Sequence, residues 1–270
     1  MFDLDFETFL PIADDLFRLS VNFIVWQPTI VTWTKPDGTP VSSADKNAQR
    51  LITNVLMNAA PHIPVRGEED SLTDGPPIAA SNRMYWSVDP IDGTRFYEAM
   101  KNEWCVSVAL MVDGEPFAAI ILQPGRGECF VGICGQGIQW RTIEGQWRTF
   151  ERKKPKSPML MVSTSCSVFE NPTYLAQARR LILRFRSIFS LPSVSSVLEI
   201  VRGHAWGWAS IFCPWEHDIA GVFVLAREVR ATGMCADGSG IPWNGDRITS
   251  SVVFAQTREE ATLIRSAMHA

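Results

Sequence analysis

Residues 86–100, WSVDPIDGTRFYEAM, constrain this chain more than any other stretch. The apolar run Met84–Val88 reads as a strand carrying Asp89 at its end, because Pro90 has no N–H to give to a sheet. Asp92 follows three residues after Asp89, Gly93 supplies a tight turn, and TRFYEAM opens a helix whose first N–H groups are free to hold an anion. Two carboxylates and a helix N-terminus thereby converge on one point. Carboxylates beside a phosphate repel it unless divalent cations lie between them. An all-oxygen ligand set of this kind suits Mg²⁺, which takes one or two carboxylates with water and a substrate phosphate. Asp-Pro and Asp-Gly are also ordinary turn dipeptides, so DPIDG alone is equally well a loop.

The rest of the chain breaks that tie. VRGEED places Glu68 and Glu69 at the end of a short strand, SSAD places Asp45 at a helix start, and PWEHDIAG opens a helix with Asp218. KPDGTPVSSAD, GEED, DPIDGT and HDIAG together resemble, in order and spacing, the signature segments of the inositol monophosphatase family of lithium-sensitive, Mg²⁺-dependent phosphomonoesterases. The resemblance runs from roughly Ile12 to Gln256. It implies an α/β fold of alternating helix and sheet layers, a homodimer, and Mg²⁺-dependent hydrolysis of a small phosphorylated metabolite such as an inositol monophosphate.

Carried over by residue, the resemblance implies that Glu68, Asp89 and the backbone carbonyl of Ile91 hold one Mg²⁺, and that Asp89, Asp92 and Asp218 hold a second. Glu68 with water would hold a third, weaker ion. Asp45 and Thr94 match the pair that orients and deprotonates the attacking water, with Glu68 beside them, and the amides of Gly93 and Thr94 cradle the phosphate next to Asp92 and Asp218. The chemistry is consistent with this. Phosphate-monoester hydrolysis is among the slowest uncatalysed reactions, and paired ions stabilise both attacking and leaving oxygens.

Several segments depart from the family pattern. WEHDIAG leaves Glu216 and Asp218 as rival ligands; Asp218 is favoured because DIAG and the following VFVLARE reproduce the family's helix, which makes Glu216 a pocket or first-turn residue. The family's EAGG is replaced by REVRATG at 227–233, which alters the turn into the next strand. Trp206 and Trp208 either pack in the core, the favoured reading, or line an aromatic pocket, and His204 and His217 are read as structural hydrogen-bonding residues ahead of catalytic ones. Arg95 after the threonine resembles the histidinol-phosphate phosphatase branch, and other branches act on 3'-phosphorylated adenosine nucleotides or fructose 1,6-bisphosphate. The long insertions of the last are absent in 270 residues. An alternative of another class is a catalytically weak metal-binding scaffold or regulatory protein. Retention of all the acids with Thr94 argues against it, since such a cluster repels itself without metal.

Composition bounds the remaining possibilities. At 270 residues and 46% hydrophobic, the chain can bury a large core as one domain, with a hairpin-rich, metal-binding half over about 1–155 and a helix-interleaved half over 156–270. A net charge of -4 gives no basic field for a nucleic-acid polymer, and RKK at 152–154 reads as a solvated loop. The acidic N-terminus and the lack of an apolar run of ~18 residues predict no membrane partner and a cytoplasmic location. Six scattered cysteines without a CxxC pair are expected reduced and buried.

Periodicity predicts a helix over 11–26 with Pro11 near its start, a ribbon over 29–45 turning at PDG, and a helix over 44–60 capped by Ser43. Strands are predicted at 84–89, 104–112, 115–122, 128–133 and 137–141. Helices follow at 171–185, 194–203, 217–226 and 257–269.

Overall fold

A computed structural model describes residues 4–24, 31–34, 40–69, 83–153, 159–164, 170–185, 188–243, 245 and 247–269. Helix α1 (Phe6–Leu19) starts five residues before Pro11, because Asp5 caps it by accepting from the Thr8 N–H at 3.0 Å. The sequence expectation of a start at Pro11 is corrected: the cap, not the proline, sets the boundary. A π-helical turn, Ser20–Ile24, continues it. Strands β1 (Thr32–Thr34) and β2 (Pro40–Ser42) pair as the expected ribbon, whose PDG turn lies outside the described residues.

Helix α2 (Ser43–Ala59) is capped by Ser42 rather than Ser43: the Ser42 hydroxyl faces the Ala44 and Asp45 amides, and Asp45 Oδ2 accepts from the Ser42 N–H at 2.7 Å. Asp45 is thus the N3 member of a capping box.

Next come β3 (Val65–Gly67), β4 (Met84–Asp92), α3 (Thr94–Glu98), β5 (Cys105–Val112), β6 (Glu115–Gln123), β7 (Glu128–Ile133), β8 (Gly137–Thr142) and β9 (Arg148–Thr149). They form a seven-stranded sheet in chain order, antiparallel except for β3 on β4.

Strand β4 does not stop at Pro90. Its ladder with β5 passes from Asp89↔Ser107 to Asp92↔Cys105, three steps against two, so a bulge absorbs Pro90 and Ile91. The missing proline N–H is tolerated there because no ladder bond is needed at a bulge, and β3 has already ended opposite Val88. The bulge also decides which way the acids point. Side chains alternate along a strand, so residues three apart face opposite ways. The extra residue restores Asp89 and Asp92 to one face.

The second half contains β10 (Leu160–Thr164), α4 (Pro172–Arg184), β11 (Ile188–Phe189), α5 (Ser193–Arg202), β12 (Gly207–Ile211), α6 (Glu216–Glu228), β13 (Thr232–Cys235), β14 (Val252–Ala255) and α7 (Arg258–His269). Its five-stranded sheet runs β11-β10-β12-β14-β13. Three apolar clusters give the layering. Phe9, Leu16, Ile52 and Leu56 of α1 and α2 pack on Trp86, Val88, Val108 and Ile120. On the other face, Val197, Leu198, Val222 and Leu225 of α5 and α6 fill the space between the sheets, against Ile121, Phe130, Trp208 and Phe254. Leu181 and Ile264 of α4 and α7 cover the far side with Trp206. Helix and sheet layers therefore alternate.

Both tryptophans are core residues: Trp208 donates to Ser163 Oγ at 2.9 Å, and Trp206 packs on Phe185 at 5.3 Å between ring centroids. A buried ionic group also fastens α5 to the first sheet. Arg202 donates to Glu199 and Gln123, each at 2.7 Å, and to Glu128, while Arg126 approaches Glu199 at 3.3 Å. His204 Nδ1 lies 2.8 Å from the second Glu199 oxygen, the structural role expected of it.

Cys105, Cys129 and Cys235 are buried, Cys134 and Cys213 are half-buried, and Cys166 lies outside the described residues. Among the described residues no helix is long and apolar enough to cross a membrane.

The REVRATG segment forms the turn without its glycines by straining a different residue. Exposed Arg230 sits at φ 60°, and Ala231 N–H closes the helix end onto the Ala226 carbonyl at 2.8 Å. A left-handed non-glycine residue costs roughly 1–2 kcal/mol. Arg230→Gly is therefore expected to raise the melting temperature by a few degrees without altering activity, and an unchanged or lowered melting temperature would show that the turn is unstrained.

Candidate active site

The open end of β4 gathers the predicted acids from elements far apart in the chain. Asp45 comes from the first turn of α2 and is 1% exposed. Its Oδ2 is taken by Ser42, and its Oδ1 accepts from the Thr94 hydroxyl at 3.0 Å. Burial raises its pKa, nearby Glu68 adds to the rise, and the Ser42 and Thr94 hydrogen bonds oppose it.

Asp89 is buried in β4, with its Oδ1 accepting from the Ile91 N–H at 3.0 Å across the bulge. Burial, then the charges of Glu68, Asp92 and Asp218, push Asp89 well above the ordinary carboxylate range. Asp92 is driven the same way by burial and then by Asp218, although the Val194 and Ser193 amides counter the shift. The Val194 N–H, at the start of α5, reaches Asp92 Oδ2 at 2.8 Å.

Gly93 must be glycine for two reasons. Its φ is +92°, and a Cβ there would meet Pro192 Cγ at 2.5 Å, where the segment entering α5 crosses it. It opens α3, placing Thr94 over Asp45, and the Thr94 hydroxyl also lies 3.5 Å from the Ile91 carbonyl.

The rival acids at the start of α6 part company. Asp218 Oδ2 accepts from the Trp215 N–H at 2.7 Å, and the same carboxylate is one of the charges acting on Asp89 and Asp92. Glu216 is 2% exposed, and its two oxygens accept from the Tyr85 hydroxyl at 2.8 Å and the Gly245 N–H at 2.6 Å. It is a buried first-turn residue that ties α6 to β4. Glu69 is also buried, its amide donating to Gln49 at 2.8 Å, and Arg95 is exposed.

Asp45, Glu68, Asp89, Asp92, Thr94 and Asp218 are thus brought together. Three contributors escaped sequence reasoning. The Ser42 cap is signalled by the S-x-x-D spacing, one residue before the expected cap Ser43. The Val194 amide and Tyr85 carried no local signal, since they act across 102 and 131 residues.

The donor set fits a hard divalent cation. Every side-chain donor is a carboxylate oxygen, and the carboxylates Asp89 and Asp92 are held together at the expense of their ionisation, which a cation would relieve. Among the described residues, no three acidic, histidine or cysteine side chains already enclose a single metal position.

The sequence matches the inositol monophosphatase family over residues 27–270. The 3'(2'),5'-bisphosphate nucleotidase CysQ of Shigella flexneri is 30% identical over 144 residues, covering 53% of this chain and 57% of that protein. The chain spans little more than half the length of the curated relatives it matches. Extragenic suppressor protein suhB from Bartonella henselae has the same fold, with a TM-score of 0.77 at 17% identity and 97% of each chain covered. An IMPase/NADP phosphatase complexed with Mg²⁺ and phosphate gives a TM-score of 0.70 at 17% identity, covering 95% of this chain and 92% of that one. With the match running through nearly all of the sequence that carries the acids, this chain belongs to the inositol monophosphatase family.

Proposed function

We propose that the chain is a Mg²⁺-dependent phosphomonoesterase that hydrolyses a small phosphorylated metabolite, inositol monophosphate-like, by attack of water on phosphorus. The observation that carries this is the Thr94–Asp45 hydrogen bond of 3.0 Å set beside the mutually repelling acids of β4 and α6. Glu68, Asp89 and the Ile91 carbonyl would hold one Mg²⁺, Asp89, Asp92 and Asp218 a second, and Glu68 with water a third. The Mg²⁺ and phosphate bound by the IMPase/NADP phosphatase of this fold support the assignment. Bound there, Mg²⁺ supplies a lower pKa for water and neutralises charge on the phosphoryl and leaving oxygens.

The protein's own groups do the rest. Thr94 donates its hydroxyl proton to Asp45, which leaves a lone pair free to accept a proton from the attacking water. Burial makes Asp45 more basic than an exposed aspartate, which favours that transfer. The amides of Gly93 and Thr94 orient the phosphate, beside Asp92 and Asp218. The two halves act as one catalytic unit, because α5 holds Asp92 and α6 carries Asp218. The proposal includes a cytoplasmic homodimer. Exposed Leu175, Ile182 and Leu183 on α4, with Phe189 on edge strand β11, support the dimer.

Turnover of p-nitrophenyl phosphate with Mg²⁺ and none with EDTA is the expected result. No turnover under either condition would transfer the chain to the metal-binding scaffold reading. A panel of inositol monophosphate, histidinol phosphate and adenosine 3',5'-bisphosphate then ranks the substrate; the CysQ relative supports including the last.

The proton path has its own test. Thr94→Ala is expected to lower kcat by ~10²–10⁴ with little change in Mg²⁺ affinity, the range for a lost general base. Thr94→Ser keeps the hydroxyl and much of the rate, whereas Asp45→Asn should resemble the alanine variant. The double variant should be scarcely slower than either single one, because the two residues act as a unit. Additive losses would sink the path.

A further inference from the structure

Outward from Asp218 runs a row of side chains that the proposed chemistry does not use. His217 Nε2 lies 3.7 Å from Asp218 Oδ1. Its ring stacks on Trp215 with centroids 6.0 Å apart and planes at 9°, and the Arg247 guanidinium lies 5.9 Å from the Trp215 ring centroid. Exposure rises along the row: His217 is half-buried, Trp215 is 36% exposed, and Arg247 is exposed. The row therefore leads from the acidic cluster to solvent.

Arg247 is anchored in that place. Its backbone bridges to Trp215, the Ile248 N–H donates to the Pro214 carbonyl at 2.8 Å, and Arg247 Nε donates to the Cys213 carbonyl at 2.9 Å. With Nε engaged, the donors of its two terminal nitrogens remain. Arg126, Arg141 and Arg202 all lie against carboxylates, whereas among the described residues none lies within ion-pair distance of Arg247. A fixed, outward-facing guanidinium on an aromatic wall, next to an acid of the proposed catalytic site, has the chemistry of an anion receptor.

We infer that His217, Trp215 and Arg247 form a leaving-group subsite in which Arg247 selects phosphoesters whose leaving group carries a second anionic group. This rests on the phosphomonoesterase reading. The reacting phosphate occupies the acidic cluster, so the leaving group has to extend from it, and this row offers an apolar wall ended by a cation. A polyol leaving group gains nothing from the guanidinium, and one bearing an ammonium is repelled.

The test compares adenosine 3',5'-bisphosphate with adenosine 3'-phosphate, which present the same 3'-ester and differ by one distant phosphate. The wild-type protein should favour the bisphosphate in kcat/KM. Arg247→Gln should reduce the bisphosphate-to-monophosphate ratio by about 10–100-fold, the range for a lost charge-assisted hydrogen bond. Arg247→Lys, which keeps charge but not the planar fork, should give an intermediate ratio. The wild-type preference should also weaken as salt rises. A wild-type protein that treats the two esters alike, or a ratio untouched by Arg247→Gln, would overturn the subsite. Hydrolysis of p-nitrophenyl phosphate in the same assay separates that outcome from failure of the phosphatase reading, which would abolish turnover of all three esters.

Discussion

Asp89→Asn is expected to abolish Mg²⁺-dependent turnover while making the metal-free protein harder to unfold. The first effect follows from the proposed bridging role, since the amide removes charge from both ions at once. The second follows from burial. Asp89 is 2% exposed and pressed by Glu68, Asp92 and Asp218, so its folded pKa lies well above the value near 4 of an unfolded aspartate.

A folded-state pKa raised in this way means that the folded protein holds the proton more tightly than the unfolded chain. Stability is then lost as pH rises from about 4 through the raised folded value. Asparagine removes that loss. Melting curves in EDTA across pH should show the wild-type protein weakening with rising pH and the variant weakening less. Near-wild-type hydrolysis by Asp89→Asn would end the metal assignment. A variant less stable than wild type in EDTA at neutral pH would show that Asp89 is not repelled by its neighbours.

Asp218→Ala and Glu216→Ala should fail in different ways, although the acids are two residues apart on one helix. Asp218 acts on Asp89 and Asp92, so its loss should lower kcat/KM by orders of magnitude. Its effect on folding should be limited to a lost cap, typically ~1 kcal/mol. Glu216 lies in the interior, and its loss orphans the Tyr85 hydroxyl and the Gly245 amide, each at about 1–3 kcal/mol. Glu216→Ala should therefore be a stability variant that retains most of its kcat and shifts KM. Glu216→Gln, which keeps an acceptor, should recover much of the loss. If turnover collapsed in Glu216→Ala and survived in Asp218→Ala, the ligand role would pass to Glu216.

Local chemistry made much of this fold legible. Strand β7 falls on its predicted bounds, and α4 to α7 each begin and end within two residues of theirs, because an amphipathic period and a boundary residue are written in adjacent letters. The acids that the fold gathers were singled out by the resemblance of four short motifs to one family, not by local period. What the letters hid was long-range. Nothing near Glu216 announces that Tyr85 will consume one of its oxygens, and nothing near Val194 announces that its amide will hold Asp92. Pro90 misled for a related reason. A proline ends a strand only where its partner needs the missing donor, and the bulge removes that need. Pro11 likewise sits inside α1 because Asp5 had already capped it.

The carbonyl of Ile91 is offered by the backbone, so the proposed ion is served at this position by something that no codon change can remove. The Ile91 side chain is 1% exposed and packs among the residues beneath α1 and α2. Variation there is answerable to volume and shape alone. Valine or leucine should leave the chemistry intact, at a packing cost typical of a conservative core exchange. Asp89 and Asp92 have no such freedom. Neighbouring letters in one short motif are therefore under separate rules, and a mutational scan across the strand end would mark the acids and pass over the proposed metal donor between them.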